Sequence, residues 1–60
     1  MTYQDAKRLL PAGAYISSTF GYPGEEGYSE FWRSADGASR WEISRRWPWE
    51  SEGWVVRKVD

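Results

Sequence analysis

Two hydrophobic rhythms divide the chain near Ala14. Before it, Tyr3, Ala6, Leu9 and Leu10 recur at helical spacing, while Gln4, Lys7 and Arg8 fall largely elsewhere. Thr2 is placed to cap this helix, and Asp5 puts a carboxylate among the free amides of its first turn. Pro11 stops it, because the residue before a proline is pushed out of the helical region, and Gly13 follows as a turn. About two turns of helix are marginal alone, so the segment must dock on something else.

After Ala14 the rhythm becomes period two. Tyr15 to Phe20 is aromatic and β-branched, and simple alternation puts Ile16 and Phe20 on one face with Tyr15 on the other. Gly21 to Gly27 reads as a loop, Tyr28 to Ser34 as a second strand and Arg40 to Trp47 as a third. Asp36-Gly37 between them is the strongest short hairpin signal in the chain. A tight turn there opposes Ala35 to Ala38 and sets Trp32 across from Trp41. Tyr28, Trp32, Trp41 and Ile43 then share the core face. The opposite face carries Phe31, Arg33, Arg40, Glu42, Ser44 and Arg46. Arg33 facing Arg40 is an unfavourable like-charge pair unless Glu42 on the diagonal relieves it.

Pro48 to Gly53 forms the next loop, and Trp54 to Val59 the last strand. Trp54 and Val56 fall on one side of that strand, Val55 and Val59 on the other. One short helix covers only one face of a sheet, which leaves Phe31, Val55, Val59 and Tyr15 for solvent or a partner. The expected fold is α+β: a short N-terminal helix packed on a three- to four-stranded antiparallel meander, one domain over residues 1–60.

Composition sharpens this picture. Five Trp, four Tyr and two Phe stand in sixty residues, and a domain of this size buries only about 60% of its extended surface. Some of Trp32, Trp41, Trp47, Trp49 and Trp54 must stay partly exposed, and exposed Trp beside Arg is the make-up of a contact surface. Eight basic and nine acidic groups leave a net charge of −1, so no global field steers the chain to nucleic acid or an anionic membrane. There is no signal-peptide pattern and no membrane-length apolar run. The chain is expected to be complete from Met1, unsecreted and cytoplasmic.

The absence of Cys and His excludes disulfides, thiolate nucleophiles, imidazole bases and Cys/His zinc sites. The Gly21–Gly27 stretch lacks the Gly-Lys-Ser/Thr ending of a phosphate loop and carries Glu25 and Glu26, which repel phosphate. Glu25/Glu26 and Glu50/Glu52 are carboxylate pairs, yet so small a body offers little burial to tune them. No catalytic, cofactor or metal residue is assigned, and the expected class is a non-enzymatic binding protein.

Two constellations remain. One is acidic and aromatic: Tyr22, Glu25, Glu26, Tyr28 and Glu30 about one loop, and Trp49, Glu50 and Glu52 about the other. Carboxylates and rings on loops suit a basic groove, and Trp49, set in a turn by Pro48, is the best anchor in the chain; its structural alternative is that the ring folds back to cap the sheet edge. The candidate partner-binding set is therefore Glu25, Glu26, Tyr28, Glu30, Trp49, Glu50 and Glu52. The other constellation is basic: Arg33, Arg40, Arg45, Arg46, Arg57 and Lys58 interleaved with Trp32, Trp41, Trp47 and Trp54. It suits single-stranded nucleic acid by stacking and phosphate neutralisation, with Arg33, Arg45, Arg46 and Arg57 as the candidate residues. Its structural alternative is that the tryptophans are core and the cations lie over their rings.

In overall character the chain resembles the small, Cys-free, single-domain accessory proteins of phages and mobile elements, the anti-CRISPR proteins among them. The likeness lies in sixty residues, one helix, a short sheet, acidic and aromatic loops and no catalytic set. It rests on no specific motif and assigns no residue. It implies a stoichiometric inhibitor of a protein or ribonucleoprotein complex in a host cytoplasm. The second reading is a small single-stranded nucleic-acid module, and the third a self-associating subunit, a homodimer joined through a sheet edge or face.

Overall fold

A computed structural model describes residues 1–60. Helix α1 spans Tyr3–Arg8, followed by strands β1 (Tyr15–Phe20), β2 (Tyr28–Arg33), β3 (Arg40–Arg45) and β4 (Val55–Lys58). The four strands form one antiparallel meander in the order β1-β2-β3-β4. This is the expected α+β architecture, with each strand within two residues of its sequence-derived bounds.

Thr2 caps α1, its hydroxyl accepting from the Asp5 amide at 3.2 Å. The helix closes early. The Leu9 and Leu10 amides bond three residues back, to the Ala6 and Lys7 carbonyls, a tightened last turn. That tightening swings Leu9 into solvent, 61% exposed, so only Leu10 of the two leucines packs on the core.

The β2–β3 register is the expected one: Trp32 opposes Trp41, and Arg33 opposes Arg40. The turn itself is wider than a two-residue hairpin. No residue other than glycine has positive φ, so Asp36 is not left-handed and a type I′ turn is ruled out. Instead the Gly37 amide donates to the Ser34 carbonyl at 2.8 Å, and Gly37 turns left-handed at φ 76°. The Asp36 carboxylate accepts from the Ser34 hydroxyl and from the Ala38 amide. Those bonds, Ser34 first, hold its carboxyl below the usual Asp range.

Strand β1 departs from simple alternation. A bulge between Ile16 and Ser18 shifts the register, pairing Ile16 with Trp32 but Phe20 with Ser29. Phe20 therefore shares the face of Tyr15, which pairs with Arg33, and is parted from Ile16. An inserted residue reverses every side chain beyond it.

The core lies between α1 and one face of the sheet. Ala6 and Ile43 are fully enclosed, and Tyr28 and Trp54 nearly so, with Tyr3, Leu10, Trp32 and Val56 packed around them. Trp54 meets Tyr3 and Tyr28 edge-on, at centroid distances of 4.9 and 6.1 Å, the arrangement aromatic quadrupoles favour. Nothing covers the other face. No helix is long and apolar enough to cross a membrane.

Candidate functional site

The polar centre of the core is Glu30, 6% exposed. Tyr28, Glu30 and Trp32 are alternate residues of β2, so all three point under the helix. The Glu30 carboxylate accepts from the Tyr3 hydroxyl at 2.8 Å, the Tyr28 hydroxyl at 2.7 Å and the Trp32 indole N–H at 3.0 Å. Tyr28 and Glu30, read from the sequence as partner-binding residues, are thus internal and offer no surface. The alternation that turns Tyr28 and Trp32 inward turns Glu30 inward as well.

Burial, followed by the hydrogen bond to Glu30, raises both phenols: Tyr28 to about 12, and Tyr3 further still. These groups are neutral when protonated, and their folded values lie above the ordinary 10.0. Their contribution to stability is therefore complete below pH about 10 and is lost as pH rises through about 12. Urea titrations at increasing alkaline pH should show stability falling across that window. Tyr28→Phe should make the fall shallower.

The two acidic loops meet at one end of the sheet, and Arg45 joins them. Its guanidinium donates to the Pro23 carbonyl in the β1–β2 loop at 3.1 Å and to the Glu50 carbonyl in the β3–β4 loop at 3.5 Å. The same group lies 4.5 Å over the Trp54 ring. The Gly27 amide adds a bond to the Arg46 carbonyl at 3.0 Å. Each loop tip is a closed turn, with Glu25 N–H bonded to Tyr22 and Glu50 N–H bonded to Trp47.

This end displays Glu25, Glu26, Trp49, Glu50 and Glu52, all exposed, together with Tyr22. The two ion pairs of the molecule are Arg8–Asp5 and Arg57–Glu42, so none of these four acids is paired. Trp49 is 74% exposed and Tyr22 71%. Trp49 stacks on Trp47 at 5.1 Å with 17° between planes, which holds an exposed ring in one orientation.

The other four indoles each carry a cation: Lys7 over Trp32, Lys58 over Trp41, Arg46 over Trp47 and Arg45 over Trp54. Trp49 alone has none. The cation-over-ring reading of the basic constellation accordingly describes Arg45 and Arg46, which are at the loop end and not on a strand-binding surface. Arg57 is held by Glu42 at 2.9 Å. Arg33 lies on the uncovered face, and three of the tryptophans (Trp32, Trp41 and Trp54) lie on or against the helix side. The proposed Arg/Trp face is therefore not assembled.

Arg40 and Tyr22 belong to the basic and acidic constellations but not to the candidate residue sets drawn from them. The signal for Arg40 was its register opposite Arg33, and for Tyr22 its place in a Gly/Pro loop. Compared with protein-family models, curated proteins and solved structures, the chain matches none of them.

Proposed function

We propose that the protein is a non-enzymatic binding protein whose loop end grips a basic surface of a larger protein or nucleoprotein complex and inhibits it stoichiometrically, in the manner of the anti-CRISPR proteins it resembles. The observation that carries this reading is Trp49. It stacks on Trp47, lacks a cation on its π face and shares the loop end with unpaired Glu25, Glu26, Glu50 and Glu52. An arginine or lysine of the partner completes what the other four indoles already have, and an aromatic ring fixed before contact loses little entropy on binding.

Self-association through a sheet edge is less favoured by the geometry. Strand β1 is interrupted by its bulge, and β4 presents Arg57 and Lys58, features that discourage edge pairing.

Affinity capture from the native cell identifies the partner, and titration of the purified pair measures the site. Trp49→Ala is expected to weaken binding by about 2 kcal/mol or more, roughly 30-fold, with an unchanged circular dichroism spectrum. Glu25→Lys with Glu26→Lys should slow association, most visibly at low salt. If these folded variants bind as the parent does, the loop end is not the contact surface.

A further inference from the structure

We propose that the uncovered sheet face binds single-stranded nucleic acid, with a backbone phosphate between Arg33 and Arg40 and unpaired bases on the rings beside them. Arg33 and Arg40 face each other directly across β2 and β3, and neither forms an ion pair. The neighbouring acid, Glu42, is occupied by Arg57, whose Nε and Nη2 both donate to it at 3.2 and 2.9 Å. Two opposed guanidinium groups without a counter-charge repel in the free protein. A bound oxyanion turns that repulsion into two charge-assisted bonds.

The arginines open onto a cavity of about 370 Å³ lined by Ser17, Ser18, Phe31, Arg33, Arg40 and Val59. The β1 bulge brings two consecutive serines to it, and Ser17 is fixed by donating to the Phe31 carbonyl at 3.1 Å. Three rings share this face. Tyr15 pairs with Arg33 and Phe20 with Ser29, which places each on a diagonal from Phe31, about 7–8 Å away. A lone phosphate would engage the arginines and leave the rings idle, and duplex bases are already stacked on one another. An unpaired strand uses both features. The face holds three arginines (33, 40 and 57) against one glutamate, a positive field that the net charge of the chain conceals.

The test is fluorescence anisotropy of a labelled oligothymidylate of about 12 nucleotides with the purified protein and no partner. Failure here therefore leaves the loop-end reading standing, and the reverse holds. Binding is expected at low salt, falling on a log–log plot with a slope of about −0.7 for the one phosphate neutralised. Arg33→Gln and Arg40→Gln should each weaken it about tenfold, and the double variant should abolish the salt dependence. Phe31→Ala should weaken it about tenfold with the slope retained. Each glutamine variant removes a repulsion, so its Tm should equal or exceed that of the parent, separating lost binding from lost fold. Absence of binding at low salt overturns the proposal, as do glutamine variants that bind like the parent. Inorganic phosphate competing as strongly as the oligonucleotide reduces the site to an anion pocket, and preference for a phosphoserine peptide assigns it to protein; either overturns the strand.

Discussion

Glu30→Ala should remove most of the protein's stability and lower its Tm steeply. The substitution removes both carboxylate oxygens and strands three donors, the Tyr3 and Tyr28 hydroxyls and the Trp32 indole N–H. The Tyr28 bond is buried and the Tyr3 and Trp32 bonds partly so; a buried donor left without a partner costs about 1–3 kcal/mol and a partly buried one less. A chain of sixty residues has a total stability of only about 3–9 kcal/mol. The loss is comparable with the whole. Glu30→Gln keeps one carbonyl oxygen but offers an NH₂ group where a second acceptor is needed, so it should fold with a lowered Tm. Thermal melts by circular dichroism check both. A melt within a few degrees of the parent for Glu30→Ala would remove the carboxylate from the centre of the fold.

Trp54→Ala is expected to destabilise by about 3–5 kcal/mol, the usual range for an aromatic ring cut from a core. Trp54 is 8% exposed and touches Tyr3 and Tyr28 edge-on. Its second role is particular to this fold. Arg45 rests on the ring while it holds the two acidic loops by their carbonyls. Truncating the ring should therefore loosen the loop end as well as the core. Measured in the cold, where some fold survives, Trp54→Ala should lose partner binding out of proportion to its folded fraction. Trp54→Phe retains a ring face and should recover most of both. Denaturant melts paired with binding titrations separate the two effects, and binding that simply tracks the folded fraction would deny the coupling.

The sequence carried the strand order and the central register because these follow from local chemistry. Asp36-Gly37 positioned the hairpin, and alternation then set Trp32 opposite Trp41, although the turn accommodates more residues than the dipeptide suggests. The same alternation contained the burial of Glu30, but a carboxylate next to a loop invites assignment to the surface. Its inward position depends on three donors, one of them, Tyr3, far away in the sequence. The bulge at Ser17 left no mark, since consecutive serines are equally at home on either side of a strand. Phe20 was placed on the wrong face as a result.

The meeting of the two loops was also beyond reach from residue types alone. Arg45 holds them through the carbonyls of Pro23 and Glu50, and a backbone oxygen has no side-chain signature. That some indoles stay exposed, by contrast, was legible, and Trp49 was a candidate, although the residues alone did not separate an exposed Trp49 from one folded back over the sheet edge. Pro48 and the flanking acids set it in a turn, and the helix is too short to cover five indoles.

The sharpest test follows each indole separately, by fluorine NMR on protein made with 5-fluorotryptophan and titrated with the captured partner. Trp49→Phe identifies the Trp49 signal. That signal should show the largest shift between H₂O and D₂O in the free protein, and should move most when the partner binds. A Trp49 signal that stays still while the Trp32, Trp41 or Trp54 signal moves would contradict the account.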